Sequence, residues 1–127
     1  MIFSRIQVLL QKHAGQLRQT ERYLGSQAKD DKPGFHLYGK TEVSLFDKKP
    51  QPTYVAGVIR QKNYVSFYFS PIYSHPKEFL DKLSPGLKKS LKGKSCFNLK
   101  AIDDDILAEI DSLLGAGIDH YRQMEWI

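Results

Sequence analysis

The chain has 127 residues, 41% of them hydrophobic and 26% charged, and a formal charge of +5 at pH 7. That is the size and balance of one globular domain, residues 1–127, able to bury a core without a disulfide or metal staple. The longest apolar run, residues 54–59, falls far short of the roughly 20 residues that a membrane span requires.

The start of the chain, with Arg5, Gln7, Gln11 and Lys12 around a short apolar stretch, is too polar for a signal peptide, so a cytoplasmic protein is expected. A single cysteine, Cys96, excludes an internal disulfide. His13, His36, His75 and His120 lack zinc-ligand spacing. No phosphate loop, dinucleotide fingerprint or nucleophile elbow occurs. The basic excess suits an acidic partner such as nucleic acid, an anionic membrane or a phosphorylated ligand, and equally suits plain solubility.

In chain order, Ile2, Ile6, Leu9, Leu10, His13 and Leu17 recur at steps of three and four, which predicts an amphipathic helix running to about Leu24 and weakened at Gly15. Residues 25–34 read as a loop, through Asp30, Asp31, Lys32, Pro33 and Gly34. Two β-prone segments follow at 35–38 and 41–46, separated by Gly39. Segments 53–60 and 64–70 read as a hairpin around Gln61, Lys62 and Asn63. In its second strand Val65, Phe67 and Phe69 face the core, and Tyr64, Ser66, Tyr68 and Ser70 point the other way.

Pro76 and Pro85 each open a short helix, the second ending at Gly93. Residues 95–99 read as a strand with Phe97 and Leu99 on one face and Cys96 and Asn98 on the other. Asp103, Asp104 and Asp105 start a closing helix whose apolar stripe is Ile106, Leu107, Ile110, Leu113, Leu114, Ile118 and Tyr121. The expected architecture is α+β, a two-layer sandwich. It has a mainly antiparallel sheet of about four to five strands, with N-terminal and C-terminal helices packed on it.

The blocks Gln61-Lys62-Asn63-Tyr64-Val65-Ser66-Phe67-Tyr68 and Gly93-Lys94-Ser95-Cys96-Phe97-Asn98-Leu99-Lys100, with Ile102-Asp103-Asp104 after them, resemble the YdhG-like family of small bacterial domains of unknown function. The resemblance covers the second half of the chain and extends to the first half only in outline. It implies a compact α+β fold and a loose relation to frataxin-like iron chaperones. Frataxin-type iron binding uses an acidic ridge on the first helix, where this chain has Glu21 against Arg5, Lys12, Arg18 and Arg22. The acidic candidate is then Asp103, Asp104, Asp105 and Glu109, whose hard oxygens suit iron or another hard cation.

Among other constellations, Tyr64, Tyr68 and Ser66 share a strand face, with Arg60 and Lys62 at the nearby turn. His36 and Tyr38 join from a neighbouring strand, and Lys94 and Ser95 join if the last strand lies alongside. Such a surface suits a small anionic or planar ligand, with tyrosine rings as walls and a cation for charge. The competing reading is a half-buried sheet face under a helix. Cys96 is either a nucleophile activated by Lys94 and a histidine, or a small core hydrophobe.

Six lysines and no acid lie in residues 82–100, and six acids and no lysine or arginine in 101–121. These are a binding stripe beside an acidic helix, or solvated faces that offset each other. Lysines without arginines or stacking aromatics are a poor nucleic-acid signature. No acid pair is spaced for general acid–base work. The expected function is therefore a non-enzymatic binding or carrier module for a small ligand or partner protein. The alternatives are frataxin-like metal handling and weak nucleic-acid association. Met124, Trp126 and Ile127 are candidates for docking on the body or on a second copy in a homodimer.

Overall fold

In the computed structural model, which describes residues 1–22, 34–44 and 49–127, helix α1 (Ile2–Ala14) buries Phe3, Ile6, Leu10 and Ala14, as its three-and-four spacing dictates. It ends ahead of the expected limit. Gly15 has a φ of 51°, a conformation that suits a residue without a Cβ, and it stops the helix rather than merely weakening it. Leu17 is still buried, but from the connection that leads into strand β1 (Arg18–Thr20). The loop expected at 25–34 lies, Gly34 apart, outside the described residues, as do Leu45 and Phe46 of the segment expected at 41–46.

The remaining strands are β2 (Gly34–Val43), β3 (Gln51–Arg60), β4 (Val65–Phe69), β5 (Leu91–Lys92) and β6 (Cys96–Leu99). They form one six-stranded sheet in the order β1-β2-β3-β4-β6-β5, with every neighbouring pair antiparallel. The two segments expected on either side of Gly39 are one strand. Its irregularity is absorbed by register shifts around Tyr38. The sheet exceeds the expected strand number because β1 and β5 are edge strands of three and two residues, too short to leave an alternating pattern. The β3–β4 hairpin is closed by the Gln61 N–H donating to the Tyr64 carbonyl at 3.0 Å.

Between β4 and β5 the chain makes α2 (Ser70–Ser74), α3 (Pro76–Phe79), one 3-10 turn (Leu80–Lys82) and α4 (Pro85–Lys88), each α-helix with a proline in its first turn. Helix α4 stops before Gly93, and the Ser90 carbonyl accepts from the Asn98 N–H at 2.9 Å as the chain turns into β5. The closing helix, α5 (Asp104–Gln123), starts where the aspartates place it. Asp103 Oδ1 accepts from the Ile106 N–H at 2.8 Å.

Strand alternation puts Phe67 and Phe69 on one face, where both are fully buried and Phe97 stacks on Phe67 at 5.9 Å between centroids. The described helices gather on this face. A carbon added at Gly117 of α5 would lie 2.6 Å from Phe69 Cζ, so the glycine lets the Phe69 ring pack against the helix backbone. Arg5–Asp104 at 3.2 Å and Lys12–Asp111 at 2.9 Å link α1 to α5 along their exposed edges. No described helix is long and apolar enough to cross a membrane.

Candidate functional site

The pairing registers align Thr20, His36, Gly57, Tyr68, Cys96 and Lys92 in one row across all six strands. Because residues directly opposite one another share a face, this row lies on the side away from Phe67 and the helices. At its centre Gly57 is obligatory. A Cβ there would collide with the Tyr54 hydroxyl and His36 Nδ1, which instead hydrogen-bond to each other at 2.8 Å. Tyr38 meets the Tyr54 ring edge-on at 5.1 Å.

The next row brings Ser66 opposite Asn98. Ser66 Oγ donates to Asn98 Oδ1 at 3.3 Å, Gln61 Nε2 donates to Ser66 Oγ at 3.2 Å, and the Cys96 thiol points to the same Asn98 oxygen at 3.5 Å. His36 and Ser66 are each only 1% exposed and Tyr38 is buried, while Tyr64, Tyr68, Cys96 and Asn98 are half-buried. The face is thus a polar layer, with its centre shielded and Tyr64, Tyr68 and Asn98 accessible in part.

Burial sets the charge state of this layer. It pushes the Tyr68 hydroxyl up to about 12, with the neighbouring Cys96 adding to the rise. It raises the Cys96 thiol as well. It lowers His36 to about 4. At neutral pH all three are uncharged, so the face offers neutral donors and acceptors rather than a counter-charge. A raised thiol beside hydroxyls and an amide is the opposite of an activated nucleophile.

Of the residues expected at the site, Tyr64, Tyr68, His36 and Tyr38 share this face. His36 and Tyr38 reach it from β2, with β3 lying between them and the β4 tyrosines. Arg60 does not belong to it. It pairs with Val65 and so points to the helix side, where its guanidinium lies 4.8 Å above the Phe3 ring. Lys62 sits exposed in the hairpin turn, and Lys94 Nζ lies 5.4 Å from the Tyr73 ring instead of reaching Tyr68. Ser95 contributes its carbonyl, which accepts from the Phe69 N–H at 2.9 Å.

Tyr54, Gln61, Cys96 and Asn98 were not expected in the cluster. The alternation of β6 already puts Cys96 and Asn98 on one face, but only the β4–β6 register brings that face beside Tyr68.

Three of the four acidic candidates have other partners, and Asp105 is exposed on the first turn of α5. Asp103 caps α5, Asp104 pairs with Arg5, and Glu109 accepts from the Ser84 N–H at 2.8 Å and Oγ at 2.6 Å, which fixes α4 on α5. Among the described residues no three His, Cys, Asp or Glu side chains converge as a metal site needs. Asp104 and Asp111 of α5 find their cations on α1 and Asp119 pairs with Arg122 of α5 itself, while the lysines of 82–100 make no ion pair among the described residues. Trp126 and Ile127 dock on the chain's own body. The Trp126 ring lies tilted against Tyr121 at 5.1 Å between centroids, and Ile127 lies against Gly39. No family model, curated protein or solved structure matches the chain.

Proposed function

We propose that the chain is a non-enzymatic binding or carrier module of the YdhG-like type. The sheet face that no described helix covers takes a small planar ligand, or the matching group of a partner protein. The observation that supports this reading is the row His36–Gly57–Tyr68–Cys96 with Ser66 and Asn98 beside it. A β-sheet face turned away from the helices is ordinarily given charged, solvated side chains. Here it carries hydroxyl, imidazole, thiol and amide groups that burial keeps neutral.

Tyrosine rings supply flat apolar walls, and the hydroxyl and amide groups supply direction, which is the usual make-up of a small-molecule site. With Arg60 turned to the other face, the ligand it suits is uncharged and planar rather than anionic. Matched pairs of probes test this: nicotinamide against nicotinate, and benzamide against benzoate, each titrated calorimetrically into the protein and its Tyr68→Ala variant. Binding of the amides that Tyr68→Ala abolishes supports the reading. Heat from neither member of any pair, or binding that the variant leaves intact, overturns it.

A further inference from the structure

Three segments meet beyond the sheet, at the C-terminal end of α5. The His75 ring, between α2 and α3, lies 4.3 Å from the His120 ring and 5.2 Å from Trp126, centroid to centroid. Phe79 closes the other side of His120, edge-on at 5.9 Å. His120 Nε2 is buried without a hydrogen-bond partner among the described residues. His75 Nδ1, by contrast, ends a chain of hydroxyls: Ser74 Oγ at 2.8 Å, then the Tyr121 hydroxyl at 2.7 Å, then Ser70 Oγ at 3.0 Å. Past α5, Glu125 adopts a φ of 61°, a conformation that disfavours a residue with a side chain, and the chain turns back so that the Trp126 N–H donates to the Tyr121 carbonyl at 3.0 Å.

We propose that His75 and His120 form an acid-opened clasp, closed over Trp126 while both rings are neutral and released when they take up protons. A neutral His75 can accept at Nδ1 or donate from it, so the hydroxyl chain through Ser74, Tyr121 and Ser70 can run in either direction. A doubly protonated ring can only donate at Nδ1, which leaves the chain a single direction. Two imidazolium rings at this spacing repel, and a proton on the buried His120 nitrogen has no acceptor among the described residues.

The charged groups around the pair do not cancel this. Glu78 of α3 favours a protonated His75, but burial and the neighbouring His120 outweigh it and hold His75 below the ordinary histidine value. On α5, Asp119 and Arg122 pair with each other at 3.4 Å and are exposed, as are Lys77 of α3 and Glu125 beside the tryptophan. A histidine lowered in the folded state stabilises the closed form above its unfolded value of about 6.5, and that stabilisation is lost as pH falls below it. Opening frees a chain turn that is already held in a disfavoured conformation.

Trp126 is the single tryptophan, so its fluorescence reports the clasp directly. Emission and acrylamide quenching, followed downward in pH beside far-UV circular dichroism, should show a red shift and loss of protection while helix content holds. In both His75→Asn and His120→Asn the transition should move to lower pH. Imidazole resonances of the unsubstituted protein, titrated by NMR, give the same answer should a variant fail to fold. An emission unchanged through the acid range, a change that coincides with loss of circular dichroism, or His75 and His120 titrating without any shift at Trp126 overturns the proposal.

Discussion

At Gly57 a hydrogen atom stands where any other residue would drive a carbon into the Tyr54 hydroxyl and the His36 ring, with the Phe35 carbonyl 3.1 Å away as well. A Gly57→Ala substitution therefore cannot be absorbed by one flexible side chain. It must separate His36 from Tyr54, and overpacking of this kind costs about 1–3 kcal/mol. Urea denaturation is the check, and a neutral effect would mean that the His36–Tyr54 pair is not held over β3.

Nothing in the sequence marks this glycine. Residues 54–59 read simply as an apolar β run, and the requirement arises only when β2 brings His36 alongside. The tyrosines were legible, because strict alternation in β4 assigns Tyr64, Ser66 and Tyr68 to one face whatever the partners are. Arg60 was not, because its place near the turn suggested proximity to Tyr64 while its own register with Val65 sends it to the opposite side.

Among the elements, α5 was the most readable and α1 the most overextended, for related reasons. The closing helix has a start signal in Asp103 and an apolar stripe that continues to Tyr121, whereas the apolar spacing of α1 runs on into Leu17 past the glycine that ends it. Replacing Asp103 with alanine should cost about 1 kcal/mol through the lost bond to the Ile106 N–H, the usual value for an N-cap. The midpoint in urea should fall with its slope unchanged. Full stability would show that the other aspartates substitute for it.

The short edge strands β1 and β5 were beyond the sequence, since two or three residues carry no period. Their pairing is decided by the neighbours that receive them. The same holds for the His75–His120–Trp126 cluster, whose members come from segments far apart in the chain.

At the scale of the whole molecule, the net charge conceals how the charges are used. Arg5 and Lys12 of α1 are paired with acids of α5, the lysines of residues 82–100 make no ion pair among the described residues, and the centre of the polar sheet face is neutral. Acid should act on this arrangement through His36. Its folded value of about 4, against 6.5 in the unfolded chain, means that below about pH 6.5 the unfolded state takes up a proton the folded state refuses. Stability falls by roughly 3 kcal/mol as pH drops towards 4. The depressed His75 adds in the same direction. Urea titrations at neutral pH and near pH 4 should show the loss, and His36→Asn should reduce it.

A ligand is expected on the side of the sheet away from the described helices. Amide chemical-shift mapping with nicotinamide decides it, because alternation separates the two faces residue by residue. Perturbations concentrated at His36, Gly57, Ser66, Tyr68, Cys96 and Asn98 are the predicted result. Perturbations centred on the α1–α5 surface, or none at saturating probe, would contradict the account.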